Sequence, residues 1–206
     1  MAKEGIPFII LFIIPAAIFA ALGWWIAAGI CFALAAFMAF FFRDPERNCP
    51  TDEALILSPA DGRVVVVAPL EPDAKDSPTQ ISIFLSPMDV HINRSPIAGE
   101  IVDFVHKPGA FHIASRDIAS VENEQNIATI RGRFVTVQIR QIAGVLARRV
   151  VFWKKIGDRV QAGERVGLMK FGSRMDVLVP AEVEVLARKG DRVTGGITVI
   201  ARVRCD

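Results

Sequence analysis

IGDRVQAGERVGLM, residues 156–169, and KGDRVTGGITVIARV, residues 189–203, are written in one grammar. Each opens with Gly-Asp-Arg-Val, passes through a turn of small residues and ends in an apolar run, the pattern left when a β-hairpin unit is duplicated. Working outward, short Val- and Ile-rich runs punctuated by Gly, Pro, Asp and Asn continue back to Ile56. They predict strands at residues 63–67, 81–85, 99–105, 127–130, 134–139 and 177–186. Helical patterning is confined to residues 143–149 and the region around 118–123. The expectation is a mainly β domain with few short helices.

The N-terminal end obeys different rules. No charged residue stands between Glu4 and Arg43, and the apolar run covers residues 7–42. One bilayer crossing takes roughly 20 apolar residues, so this run is nearly twice as long as a single span needs. It is also too long for the apolar region of a signal peptide. Gly23 lies near its centre beside Trp24 and Trp25, and tryptophan favours the membrane interface. A transmembrane helical hairpin, or one or two spans, is therefore expected over residues 1–43 as a membrane anchor, followed by a β-rich domain over 44–206. Lys3 precedes the run while Arg43 and Arg47 follow it, which places both flanks and the β domain on the cytoplasmic side of the cell membrane.

Composition excludes other classes. Lys and Arg total 24 against 22 Asp and Glu, and a net charge of +2 does not support extended nucleic-acid binding. Cys31, Cys49 and Cys205 are odd in number and widely spaced, so no disulfide framework is expected. Neither they nor the three histidines show the paired spacing of a structural zinc site, and no metal is expected.

The duplicated hairpins resemble those of biotinyl and lipoyl carrier domains, and the likeness extends to Met169-Lys170 and Val179-Pro180-Ala181. It implies a barrel-sandwich-like β architecture. It also offers an alternative function, a membrane-tethered carrier modified at Lys170. A carrier has no use for a membrane hairpin, and Phe171-Gly172-Ser173 after the lysine is not the usual surrounding of a biotinylated turn. Shared architecture does not by itself carry shared chemistry.

Gly172-Ser173 alone is an ordinary turn pair. Its frame, Phe171-Gly172-Ser173-Arg174, is similar to the processing site of the short bacterial and archaeal-type phosphatidylserine decarboxylases. The resemblance continues through residues 58–64 (SPADGRV), 85–91 (LSPMDVH), 122–126 (ENEQN), 141–144 (QIAG) and 147–149 (ARR), in the family's order over most of the β domain. It implies a proenzyme that cleaves itself between Gly172 and Ser173. Residues 1–172 would become a β chain and 173–206 an α chain, held together as a heterodimer, with further oligomerisation left open.

The implied roles suit the residue types. Serine is a weak nucleophile until a base takes its proton. His91 is the candidate base for Ser173, with Asp61 fixing its tautomer as in a Ser-His-Asp triad. An N-to-O acyl shift at Gly172, followed by elimination and hydrolysis, would leave a covalently bound pyruvoyl group at position 173. Its keto carbon would form a Schiff base with phosphatidylserine in the membrane and yield phosphatidylethanolamine and carbon dioxide. Arg63, Arg94 and Arg174 are candidate partners of the substrate phosphate. Without the surrounding blocks, Asp61-Gly62 reads as a turn and His91, His106 and His112 as loop histidines.

Two positions depart from the pattern. Arg94 stands three residues after His91, where the longer bacterial relatives carry a second histidine, so a mechanism needing two histidines there is not carried over. Gln125 stands where the short forms more often have arginine, and no role is assigned to it.

Overall fold

Beyond Arg47, β-branched residues that alternate with small or polar ones set the chain into strands. The computed structural model describes residues 1–74, 76–110, 122–144, 150–170 and 173–204. Within it, Met1–Glu46 and Arg47–Asp206 are two separate compact units.

The first unit is a helical hairpin. A 3-10 turn, Lys3–Gly5, leads into α1 (Ile6–Ala21); Gly23, at φ +77°, turns the chain into α2 (Trp25–Phe41). The helices run antiparallel, since Ala2 N–H donates to Phe42 O at 2.9 Å and the rings of Phe8 and Phe42 stack at 5.4 Å. Small residues line the buried seam, among them Ala16, Ala28 and Ala35, while Leu11, Trp25, Ile26 and Phe32 face outward. Small residues along much of the seam with large apolar ones outside suit helices packed in lipid, while Met38, Phe41 and Phe42 are also buried. Lys3–Ala21, 19 residues, is long and apolar enough to cross a membrane by length and composition, and Trp25–Phe41 is a shorter apolar helix.

The second unit contains β1 (Leu55–Leu57), β2 (Gly62–Pro69), β3 (Thr79–Leu85), β4 (Ile92–Arg94), β5 (Gly99–Lys107), β6 (Gln125–Arg131) and β7 (Thr136–Ile142). It continues with β8 (Val150–Phe152), β9 (Arg159–Val160), β10 (Arg165–Met169), β11 (Ser173–Val179), β12 (Glu184–Val185), β13 (Arg192–Val193) and β14 (Val199–Arg202). An eight-stranded curled sheet runs β13-β2-β3-β11-β7-β6-β5-β9, and two three-stranded sheets run β1-β14-β12 and β4-β10-β8. Ile81, Ile83, Val137, Ile139, Met175 and Val177 of the large sheet share one core with Val166 and Met169 of one small sheet and Ile200 of the other. The domain is mainly β, as expected.

The duplication seen in the Gly-Asp-Arg-Val stretches reaches much further. β9 and β13 close opposite edges of the large sheet, and β10 and β14 are the middle strands of the two small ones. Ser58-Pro59 and Ser95-Pro96 make matching turns: Ser58 Oγ donates to Ala60 O at 2.7 Å and Ser95 Oγ to Ile97 O at 2.6 Å. The two halves also clasp each other reciprocally, Leu57 N–H to Pro96 O and Arg94 N–H to Pro59 O, both at 2.8 Å. Gly62 and Gly99 open β2 and β5, and a Cβ on either would collide with a carbonyl oxygen of the next strand, that of Phe84 or of Arg131. The domain is thus two similar halves related by a pseudo-twofold between β7 and β11.

The strand expected over 177–186 is broken. β11 ends at Val179, Pro180 begins a turn closed by Val183 N–H to Pro180 O at 3.2 Å, and β12 joins a different sheet. Proline has no N–H to continue the ladder. Most of the expected helices, at 143–149 and around 118–123, lie outside the described residues, as do His112, the 147–149 block, Phe171, Gly172 and Cys205.

Candidate active site

Five strands of the large sheet end level with one another. Arg63, Phe84, Arg174, Ile142 and Gln125 form one cross-strand row through β2, β3, β11, β7 and β6. One residue beyond it lie Gly62, Leu85, Ser173, Ala143 and Glu124, so Asp61 and the Ser86 to His91 loop belong to this end.

Ser173 opens β11, paired with Leu85 of β3. Its side chain falls on the core face with Met175 and Val177, because strand residues alternate. The residue is 0% exposed, and its Oγ is buried with no hydrogen-bond partner among the described residues. A hydroxyl in that position costs stability unless it has other work.

His91, also 0% exposed, follows a tight turn in which Asp89 N–H donates to Ser86 O at 2.9 Å and Ser86 N–H to Asp89 Oδ2 at 2.8 Å. Arg192 donates to the other Asp89 oxygen at 2.5 Å. The imidazole Nδ1 lies 2.9 Å from Asp89 O. A carbonyl only accepts, so Nδ1 carries the hydrogen and Nε2 keeps the basic lone pair.

Asp61 is gripped elsewhere. Arg47 donates to both of its carboxylate oxygens, at 2.6 and 2.8 Å, the Gly195 N–H donates at 2.8 Å, and Arg47 also donates to Gly195 O. The tautomer-fixing bond expected from Asp61 is thus made to His91 by the Asp89 carbonyl.

The three candidate arginines part company. Arg63 is exposed on the terminal row, with Nη1 donating to Gly190 O at 3.0 Å. Arg94 is buried, donating to Gly163 O at 2.8 Å. Arg174 lies on the face of the sheet opposite Ser173, buried in a bidentate pair with Asp176 at 2.6 and 3.0 Å and bonded to Ser82 Oγ at 2.8 Å. Burial pushes the Asp176 carboxyl above the usual carboxylate range, against the charge of Arg174 and hydrogen bonds from Arg174 and Ser82.

Known proteins carry the same pattern. The family model described as phosphatidylserine decarboxylase matches residues 34–201. The chain belongs to the phosphatidylserine decarboxylase family. A protein of Solibacter usitatus (strain Ellin6076) named phosphatidylserine decarboxylase proenzyme is 50% identical over 188 residues, 89% of each chain. One of the same name from Symbiobacterium thermophilum is 44% identical over 208 residues, covering 98% of this chain and 95% of that one. A third, from Syntrophotalea carbinolica, is 43% identical over 205 residues, 97% and 95% of the two chains. A decarboxylase family places the chain among enzymes, and the lyase class agrees with it.

The pseudo-twofold sets the candidate site residues apart from their structural counterparts. The strand registers match Asp61 with Ala98, His91 with Ala54 and Ser173 with Val135. Only one end of the sheet therefore carries the triad residue types. Sequence reading passed over Arg47, Asp89 and Gly195, which orient Asp61 and His91. Arg47 is 14 residues from Asp61 and Gly195 is 134, so no local motif joins them.

Proposed function

We propose that the chain is a phosphatidylserine decarboxylase proenzyme that cleaves itself between Gly172 and Ser173 and acts on phosphatidylserine at the cytoplasmic face of the cell membrane. The observation that carries this reading is the buried Ser173 Oγ at the head of β11, which has no hydrogen-bond partner among the described residues and lies at the sheet end that also holds Asp61 and His91. A serine so placed fits conversion to a pyruvoyl group, since its side chain forms no hydrogen bond among the described residues that conversion would break.

Ser173 Oγ attacks the preceding peptide carbonyl while His91 Nε2 takes its proton, the Nδ1–H bond to Asp89 keeping Nε2 basic throughout. Asp61, fixed by Arg47 and Gly195, stands at the same end of the sheet. The pyruvoyl carbonyl at 173 supplies an electrophile for the serine amine and a sink for the electrons freed as carbon dioxide leaves. Arg63, exposed on the terminal row, meets the headgroup phosphate. After the cut, β11 remains laddered to β3 on one side and β7 on the other, so residues 173–206 stay docked as the second chain of a heterodimer. The apolar hairpin of the first unit anchors the enzyme in the bilayer that holds its substrate.

Intact-mass measurement of protein purified from membranes tests the reading. The expected products are residues 1–172 and a 173–206 fragment with a blocked N-terminus, both absent in Ser173→Ala. A wild-type chain that stays whole would overturn it.

A further inference from the structure

Four side chains form a hydrogen-bonded line that ends at Asn93. His106 Nδ1 lies 2.8 Å from Asn126 Oδ1. Asn126 Nδ2 donates to Gln141 Oε1 at 3.1 Å and to Val150 O at 3.3 Å. Gln141 Nε2 donates to Asn93 Oδ1 at 2.8 Å and to Val151 O at 3.1 Å. The two backbone carbonyls set the direction of every amide, because turning Asn126 or Gln141 over would face oxygen with oxygen. Asn93 is therefore held by its oxygen, and its outer end is a donor. That Nδ2 is buried and has no partner among the described residues. Folded proteins rarely leave a buried donor unmet.

Its position says what it waits for. Gln141 faces the core opposite Met175 of β11, and Ser173 stands two residues along the same face, roughly 7 Å of strand. Asn93, on β4, reaches this face through Gln141. His91 extends the β4 ladder, accepting the Met169 N–H at 3.1 Å, and two positions from Asn93 it shares its side of the chain. Donor, base and nucleophile thus gather at one end of the core. All three residues are 0% exposed, so an outside ligand does not reach Asn93 in the uncleaved chain. An acceptor formed by the reaction itself fits that position.

The geometry points to Asn93 as the donor that stabilises the oxyanion of self-cleavage, an inference that rests on the self-cleaving reading above. As Ser173 Oγ bonds to the preceding carbonyl carbon, its proton passes to His91 and the carbonyl π pair moves onto oxygen. Collapse re-forms the C=O, breaks the C–N bond, and the nitrogen takes the proton back from His91, leaving an ester. The negative oxygen exists only between these events, so a donor reserved for it stands unpartnered in the ground state. Gln141, Asn126 and His106 are positioning residues that hold the Asn93 amide with its NH2 outward.

The test follows conversion of the full-length membrane-expressed chain to its two products by pulse-labelling and intact mass. Asn93→Asp keeps the shape and the oxygen that accepts from Gln141 but replaces the donor with a charged acceptor. Cleavage should slow by about 10²-fold or more, and its rate relative to wild type should recover as pH falls, because a protonated carboxyl donates again. Asn93→Leu should show the loss without the recovery, and Gln141→Leu a smaller loss. Thermal unfolding of each variant in a Ser173→Ala background separates folding from chemistry. If Asn93→Asp folds and keeps pace with wild type, or if its loss has no pH-dependent recovery, the oxyanion role is wrong while self-cleavage stands. If wild type itself stays whole, both fall.

Discussion

His91 donates from Nδ1 to the carbonyl oxygen of Asp89, 2.9 Å away, and this bond decides which imidazole nitrogen is basic. The Asp89 carbonyl is in turn held in place by the Ser86–Asp89 turn and by Arg192 on the Asp89 carboxylate. His91→Ala should therefore slow self-cleavage by about 10²-fold or more, read as persistence of full-length chain. Arg192→Ala acts only through the turn, and a loss of less than about tenfold is expected, since the two Ser86–Asp89 bonds remain. Equal losses in the two variants would show that Arg192 does more than steady the turn.

Arg47 meets Asp61 with a planar fork matched to a carboxylate, and only 9% of its side chain is exposed. Arg47→Met leaves Asp61 with the Gly195 amide as its partner among the described residues and should cost about 2–3 kcal/mol of stability. Denaturant unfolding in a Ser173→Ala background measures this. Arg47→Lys should recover part of the stability but not the bidentate hold. Cleavage in the cleavable background should fall in the same order, Met below Lys below wild type.

Much of this was legible beforehand for a physical reason. Strands such as Gly62–Pro69 and Gly99–Lys107 announce themselves through local alternation, and the triad types at 61, 91 and 173 sit inside recognisable blocks. The break after Val179 was also marked, by Pro180, though the apolar run on both sides hid it. The partners of the site residues were not legible. Arg47 with Asp61, Arg192 with Asp89, and Gln141 with Asn93 meet only because of sheet order and register, which residue spacing does not encode. The matching Ser-Pro turns at 58 and 95 were a readable sign that the duplication extends past the two hairpins.

Gly62 and Gly190 separate two costs of replacing glycine. At Gly62, with φ +152°, a Cβ would strike the Phe84 carbonyl oxygen, which belongs to the ladder and has nowhere to go. At Gly190, with φ +100°, a Cβ meets nothing within 4 Å, so only backbone strain remains. Gly190→Ala should cost about 1–2 kcal/mol. Gly62→Ala should cost more than about 3 kcal/mol and part β2 from β3 beside Asp61, lowering cleavage as well. Urea midpoints with unchanged slope would check both, and equal costs would count against the carbonyl clash.

Asp176 offers a test by pH. Burial raises its folded pKa above the ordinary 3.8, so between 3.8 and the raised value the folded chain keeps a proton that the unfolded chain has released. Its contribution to stability is thus complete below 3.8 and is lost as pH rises through the folded value, opposite in sign to a carboxylate that a salt bridge makes more acidic. Asp176→Asn copies the protonated form in shape and leaves the same Arg174 beside it. In a Ser173→Ala background the two proteins should melt together at low pH, and the Asp176→Asn variant should hold its melting temperature better as pH rises. A variant that instead melts lower at neutral pH, by the equivalent of about 3–5 kcal/mol, would mean that the Arg174 pair outweighs the cost of burying the carboxylate.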